Sequence, residues 1–167
     1  MKTSRVTTIC RLALFLAIEV VLSYVESFIP LPIPLPGVRL GLANAIGLVV
    51  LYFYSPKEFV GIGFLRVLIV GLLRSTAVSF ALSFTGWALS TLMVLLFYFW
   101  KKASIYGLSI CSAVFHGLGQ VLMVMLIYQL PDMINYLPVM LFSGIISGAL
   151  VAMISALAMK NLEHVLK

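Results

Sequence analysis

The chain has 167 residues, of which 63% are hydrophobic and 10% are charged. Soluble domains carry roughly 45–50% apolar and about 25% charged residues, so the composition excludes an ordinary soluble protein and predicts an integral membrane protein. The formal net charge is +6, but the Lys and Arg residues are dispersed beside apolar runs, which suits an anionic membrane leaflet and not a nucleic acid. The length predicts a single transmembrane domain, residues 1–167.

Six apolar runs predict six transmembrane helices, because about 20 such residues cross a bilayer. The predicted helices cover residues 9–29, 40–54, 57–74, 77–100, 106–128 and 135–163. The first follows a basic N-terminus, but it contains Glu19 and ends in prolines, so we interpret it as a retained helix and not as a cleaved signal peptide. The second is short for a full span, which predicts tilting or burial. We therefore expect an all-α membrane protein.

The Lys and Arg residues set the predicted orientation, since such residues concentrate in cytoplasmic loops. With the N-terminus in the cytoplasm, two basic residues fall outside, Arg39 and Arg74. Eight fall inside: Lys2, Arg5, Arg11, Lys57, Lys101, Lys102, Lys160 and Lys167. The predicted topology is therefore six spans in the plasma membrane, with both termini inside.

Arg66 lies in the third apolar run, with no charged residue within seven positions on either side. A charge at bilayer depth costs at least about 2.5 kcal/mol, so such a residue is expected to be paired or to face a wet cavity. On the first helix Glu19, Ser23 and Glu26 share one face, and Glu19 is the deeper carboxylate. We expect Glu19 to pair with Arg66, because each charge would offset the other's desolvation. Either an enclosed polar binding site or a purely structural ion pair would give this pattern.

The first external loop, residues 28–37, alternates proline with bulky aliphatic residues, and its prolines favour a stiff, extended strap. The strap is either a lid over a cavity or a rigid connector. Arg39 and Asn44 follow it at the outer entrance of the second helix, where they would meet an anionic or hydrogen-bonding ligand. The alternative for Arg39 is an arginine that reaches the membrane interface.

His116 and Gln120 lie one turn apart on the fifth helix, with two glycines, Gly117 and Gly119, between them. The glycines indicate either close helix packing or a ligand pathway along bare backbone. His116 is accordingly either a ligand contact or a structural residue.

Ala13 and Ala17 form a small-xxx-small pattern on another face of the first helix, which lets a partner helix approach closely. Cys10 and Cys111 lie inside apolar segments without metal or redox spacing, so we expect two buried free thiols. The sequence predicts neither a metal site nor a cofactor.

A family resemblance rests on these residues: Glu26, PGVRLGLAN (36–44), LY (51–52), Arg66, SFTG (83–86) and HGLGQ (116–120). They resemble the Gx transporter family, whose members also carry the description heptaprenyl diphosphate synthase component I. The resemblance covers the first five helices and departs at Gly117, where the family has Asn. That family is similar to the substrate-binding S components of energy-coupling-factor transporters.

The resemblance implies a six-helix, S-component-like bundle with its substrate site at the outer helix ends, under the first loop. The site residues implied or suggested above are Glu19, Glu26, Arg39, Asn44, Arg66, His116 and Gln120. It also implies that Ala13 and Ala17 dock a transmembrane coupling subunit that works with ATPases.

Catalysis is not expected of this chain. Prenyl elongation uses Mg²⁺ held by clustered aspartates to stabilise the departing diphosphate, and the sequence has one aspartate, Asp132. It also has no Gly-rich nucleotide-binding loop with Lys, so energy from ATP would come from another chain. Two functions stay open: binding and transport of a small molecule, or a noncatalytic membrane component that binds an isoprenoid-like chain. The second would serve a heptaprenyl diphosphate synthase or a quinone- or flavin-linked redox assembly.

Overall fold

The computed structural model describes residues 5–26, 28, 41–74, 76–100 and 103–166. Six α-helices make up most of this part of the chain: α1 (Arg5–Glu26), α2 (Leu42–Phe53), α3 (Pro56–Arg74), α4 (Ala77–Phe99), α5 (Ile105–Tyr128) and α6 (Leu137–Leu166). A 3-10 helix, Pro131–Tyr136, precedes α6. The predicted all-α fold is confirmed for the described residues.

Local chemistry explains where α5 begins and ends. The hydroxyl of Ser104 accepts a hydrogen bond from the backbone N–H of Gly107 at 3.2 Å, which satisfies a donor in the first turn. At the other end Gln129 adopts a left-handed backbone conformation, with φ of 52°, which stops the helix. Pro131 follows and begins the 3-10 helix.

The last helix begins later than the sequence predicts. Residues 135 and 136 belong to the 3-10 helix, and α6 begins at Leu137. Pro138 gives the reason, because it has no N–H to donate to the carbonyl of Ile134, and its ring would clash with that carbonyl inside an α-helix. Proline is accommodated in the first turn of a helix, which is where Pro138 lies.

Among the described residues, four segments are long and apolar enough to cross a membrane. They are α1, α4, α5 and Pro131–Glu163. Large apolar side chains remain exposed on these segments, for example Leu126 at 72% and Phe142 at 70%, as expected of surfaces that face lipid. The chain is therefore a multi-pass membrane protein.

The short second helix lies inside the bundle. α2 contacts α1, α3, α5 and α6, and most of its residues are buried. Because α2 is apolar apart from Asn44 and the Tyr52 hydroxyl, an interior position suits it. The predicted burial of this short run is confirmed. Next to it, α5 packs between α4 and α6.

Close approach of neighbouring helices depends on two glycines. A Cβ atom at Gly119 of α5 would lie 2.7 Å from the carbonyl oxygen of Thr85 on α4. A Cβ atom at Gly148 of α6 would lie 2.7 Å from the Cα atom of Ile110 on α5. Small residues of this kind let helix backbones come close inside a membrane.

One cysteine departs from the prediction of buried thiols. Cys111 is partly buried, but Cys10 is exposed, and both are free. α1 buries only the face that carries Phe15, Glu19, Ser23 and Glu26, and Cys10 lies off that face. An apolar neighbourhood in sequence therefore places Cys10 in the membrane without placing it in the protein interior.

The helices alternate in direction between two ends of the bundle. At one end, α1 finishes, α2 begins and α6 begins around a polar cleft, and we call this the cleft end. At the other, α2 and α4 finish, α5 begins and the last turns of α6 surround an apolar groove next to Lys160. We call this the basic end. The first residues of α1 and the last residues of α6 accordingly lie toward the basic end.

Candidate functional site

Arg66 occupies the middle of the bundle with a partner on each of two other helices. Its Nε atom lies 3.7 Å from a carboxylate oxygen of Glu19, and its Nη1 donates to the side-chain oxygen of Asn44 at 3.1 Å. Glu19 is 1% exposed and Arg66 8% exposed. The predicted ion pair between α1 and α3 is therefore confirmed. Each charge offsets part of the desolvation of the other, which is what makes the burial of both tolerable.

The guanidinium keeps hydrogen-bonding capacity beyond this pair. Arginine has five N–H donors in a fixed planar arrangement. At 3.7 Å the contact with Glu19 is electrostatic and not a hydrogen bond, so within the described residues the bond to Asn44 uses one donor. Arg66 lines the cleft, so its guanidinium borders space that a solute can occupy.

Glu26 joins the end of α1 to the start of α2. One of its carboxylate oxygens accepts a hydrogen bond from the backbone N–H of Leu42, the first residue of α2. Gly41 precedes this turn with φ of 75°, a backbone conformation that disfavours other residues. A carboxylate at a helix N-terminus also interacts favourably with the helix dipole. Glu26 thus fixes the first turn of α2, and with it Asn44, beside Arg66.

The cleft is narrow, and its lining is part polar and part apolar. About 70 Å³ is open to the centres of water-sized molecules, which is room for several waters, since one needs about 10–15 Å³ measured in this way. Charged and amide side chains line the part next to α1, α2 and α3: Glu26, Asn44 and Arg66. The rest of the lining consists of His116, serines of several helices, and small or apolar residues such as Val67 and Met140.

Three of those serines present acceptors rather than donors. Ser109 donates its hydroxyl proton to the carbonyl of Gly148 at 2.7 Å, Ser143 to that of Met140 at 3.0 Å and Ser147 to that of Gly144 at 3.3 Å. Each hydroxyl has one proton, so the oxygen lone pairs are what remains for a solute. The cleft therefore combines the Arg66 guanidinium and the Glu26 carboxylate with several neutral acceptors.

A second, smaller space adjoins the cleft on the other side of Arg66. We call it the central cavity, and about 20 Å³ of it is open to the centres of water-sized molecules. Its lining includes Glu19, Asn44, Arg66, Trp87, Ser90, Thr91 and Ser112. The hydroxyls of Ser90 and Ser112 lie 3.1 Å apart and share a hydrogen bond between α4 and α5.

Residues 15–158 match the family described as heptaprenyl diphosphate synthase component I. The match begins in α1 and ends in α6, and so includes every residue of both spaces described above. The chain belongs to this family. No curated protein and no solved structure matches the chain. The family description names one component of a synthase, which implies a partner component.

The structure brings together most of the predicted site residues of this heptaprenyl diphosphate synthase component I family member. Glu26, Asn44, Arg66 and His116 line the cleft, and Glu19 lies behind Arg66 in the central cavity. Arg39 and residues 29–37 of the proline-rich loop lie outside the described residues. The role of this loop as a lid or a connector stays a prediction. The binding role of these residues stays a prediction.

Gln120 does not line the cleft or the central cavity. It is 1% exposed, and neither its amide nitrogen nor its amide oxygen has a hydrogen-bond partner among the described residues. The two glycines between His116 and Gln120 have different surroundings. Gly119 packs against α4, whereas Gly117 lines the cleft with Met140.

Sequence reasoning missed the contribution of the serines on α6. Ser143 and Ser147 are one turn apart and lie on the side of α6 that faces the cleft. The signal was present as two serines at a spacing of four residues, each followed by a glycine, in SGIISG. The structure places their hydroxyl oxygens in the cleft.

Ala13 and Ala17 lie outside the bundle. Both are exposed, on the side of α1 opposite the buried face with Phe15 and Glu19. They therefore do not pack against other helices of the described part of the chain. Their role in docking a partner stays a prediction.

Proposed function

We propose that the chain is a single-domain protein with six spans in the plasma membrane and both termini in the cytoplasm, which binds a small solute in the cleft and carries it across the membrane. In this it would resemble an S component of an energy-coupling-factor transporter. The observation that supports the proposal most is Arg66, a buried cation with unused donors that borders a cleft lined in part by polar side chains. A purely structural ion pair does not need an adjoining cleft with a wall of acceptors.

The chemistry of the cleft indicates what the solute must offer. An anionic group, such as a carboxylate or a phosphate, would take the free donors of Arg66, because planar pairs of this kind are strong and directional. The oxygens of Ser109, Ser143 and Ser147 would accept hydrogen bonds from hydroxyl or amino groups. We therefore infer a small anionic metabolite with several donor groups. Arg39 is proposed as a further contact at the entrance.

Mass spectrometry of the purified protein tests the proposal, with Asn44→Ala as the variant and Asn161→Ala as the matched control. Asn161 is exposed near the end of α6, far along the helix from the cleft. We expect a water-soluble anionic metabolite to be bound stoichiometrically to the wild type and to the control. Asn44→Ala should retain at least about tenfold less, because it removes a hydrogen bond to a buried charge. Loss of the metabolite from both variants alike would contradict the assignment to the cleft.

The coupling partner is the second part of the proposal. Exposed small residues on α1 suit close approach of another protein's helix, since close packing drives association inside a bilayer. Ala13 and Ala17 would then contact a transmembrane coupling subunit with ATPases, and that subunit would supply the energy.

One observation favours a different candidate function, that of a noncatalytic membrane component of a heptaprenyl diphosphate synthase. The groove at the basic end has a volume of about 730 Å³ and is lined mainly by apolar side chains, including Leu51, Phe99 and Met159. This volume is within the range of roughly 300–1,000 Å³ typical of ligand sites, and an isoprenoid chain would suit such a lining. A polyprenyl or quinone species bound to the purified protein would favour this function over transport of a metabolite.

A further inference from the structure

The ion pair between Arg66 and Glu19 leaves a buried carboxylate oxygen without a hydrogen bond. The Oε2 atom of Glu19 lies 3.7 Å from Nε of Arg66, which is too long for a direct hydrogen bond. This oxygen is buried, and it has no hydrogen-bond partner in the described part of the chain. Buried polar atoms are nearly always bonded to protein or to ordered water. At a separation of this kind, a water molecule can join the two groups.

The central cavity provides space for a water beside this carboxylate. Glu19 lines the cavity together with Gly47 and Arg66. A Cβ atom at Gly47 would lie 3.4 Å from Oε1 of Glu19, and Nε of Arg66 faces Oε2. Both carboxylate oxygens are therefore next to residues of the cavity wall. The cavity has about 20 Å³ open to the centres of water-sized molecules, and one water needs about 10–15 Å³.

Hydroxyl groups on the opposite wall complete the set of partners. Ser90 of α4 and Ser112 of α5 are buried, line the cavity and share one hydrogen bond of 3.1 Å. Two hydroxyls have two protons, and the shared bond uses one of them, so one proton and several lone pairs remain. A buried water typically makes about three hydrogen bonds. The guanidinium, the carboxylate and this hydroxyl pair supply that number.

We propose that the central cavity binds one ordered water molecule, which accepts a hydrogen bond from the Arg66 guanidinium and donates one to Oε2 of Glu19. The same water bonds to the hydroxyl pair of Ser90 and Ser112. Of the five N–H donors of Arg66, one then bonds the water and one bonds Asn44, so the others are left for the cleft. The water site is behind Arg66 as seen from the cleft, and it does not depend on whether a solute binds there.

The water would join two parts of the bundle that have no direct contact. In the described part of the chain, α1 packs against α2 and α3, and it packs against neither α4 nor α5. Glu19 is on α1 and Arg66 on α3, whereas the hydroxyl pair joins α4 to α5. One water in the central cavity therefore makes a single polar network of four helices.

An experimental structure that resolves ordered waters tests the site directly. We expect density for one water at about 2.7–3.2 Å from Oε2 of Glu19 and from a nitrogen of Arg66. A hydroxyl of Ser90 or Ser112 should lie within the same distance of it. Absence of density in the cavity, or a direct hydrogen bond between Arg66 and Oε2 of Glu19, would overturn the proposal.

A thermodynamic cycle tests the network in the full-length protein in detergent. The variant Ser90→Ala, Ser112→Ala is compared in the wild type and in the Glu19→Leu, Arg66→Leu background. We expect the serine replacements to lower the melting temperature by at least about 2 °C more in the wild type, because only there does the water also serve the ion pair. Equal losses in the two backgrounds would show that the hydroxyls and the ion pair are independent.

Ser155→Ala is the matched control for this cycle. Ser155 is fully buried, donates to the carbonyl of Val151 at 2.8 Å and lines neither the cleft nor the central cavity. Its replacement should lower the melting temperature equally in both backgrounds. A difference as large as that of the serine pair would mean that the Leu background changes the whole bundle, and would remove the support of the cycle for the water.

Sodium tests whether a cation occupies the cavity instead of water. The positive charge of Arg66 next to Glu19 disfavours a second cation there. The wild type should therefore unfold at the same temperature in NaCl and in choline chloride of equal ionic strength. Stabilisation by Na⁺ that Glu19→Gln abolishes would assign the cavity to a cation and overturn the proposal.

Discussion

Arg66 has two roles that its contacts keep apart. Its Nε side faces Glu19 at 3.7 Å, which neutralises a buried carboxylate, and its Nη1 atom holds Asn44. The same side chain borders the cleft. The pair with Glu19 is therefore a requirement of burial, and the border with the cleft is where a solute could use the donors that are left.

Replacing one member of the pair should cost more stability than replacing both. We expect Arg66→Leu to lower the free energy of unfolding by about 3–5 kcal/mol, because it leaves Glu19 buried without its counter-charge. The double variant Glu19→Leu, Arg66→Leu should recover most of this loss, since two apolar side chains need no partner. Thermal unfolding in detergent measures both. Equal losses in the single and double variants would show that the charges do not stabilise each other.

At the scale of the helices, the contact between α4 and α5 depends on Gly119. Gly119→Ala should destabilise the protein by roughly 1–3 kcal/mol, because the new methyl group would meet the Thr85 carbonyl and force the helices apart. Gly61→Ala is the matched control in α3, where a Cβ would meet nothing within 4 Å. It should stabilise the protein by up to about 1 kcal/mol through helix propensity. The same sign of change in melting temperature for both variants would contradict this account.

The exposed face of α1 makes a prediction about coupling. Ala13→Trp should leave solute binding unchanged while it abolishes uptake, because the cleft and this face are on different sides of α1. Leu157→Trp, at an exposed position on α6, should affect neither. Uptake into intact cells and binding to purified protein are the two measurements. Normal uptake by Ala13→Trp would remove the reason to assign a partner to this face.

For the whole molecule, the alternating helices predict which loops face each side of the membrane. In a Cys10→Ser, Cys111→Ser background, Asp132→Cys should react with an impermeant thiol reagent added outside cells. Lys101→Cys should react only after the cells are made permeable, because the positive-inside bias places it in the cytoplasm. The opposite pattern would reverse the orientation while leaving the fold as described.

The sequence predicts the helices and the central ion pair well, for physical reasons. Apolar runs of bilayer length have few alternatives to a helix, and a charge as isolated as Arg66 needs a partner, of which Glu19 was the deepest available. Details set by side-chain direction were less predictable. Cys10 and the α6 serines lie in equally apolar runs, and only the packing of the bundle decides that one faces out and the others face the cleft. The late start of α6 follows from Pro138. In the sequence this single residue lies within a long apolar run, and the run predicts an earlier start.

The cleft next to Arg66 is proposed to bind a small anionic solute, and an experimental structure of the protein purified from its native membrane would test this. We expect compact density within hydrogen-bonding distance of the Arg66 guanidinium and of the hydroxyls of Ser143 and Ser147. A cleft that contains only water, together with elongated density in the groove beside Leu51 and Met159, would contradict it and support a component that binds an isoprenoid chain.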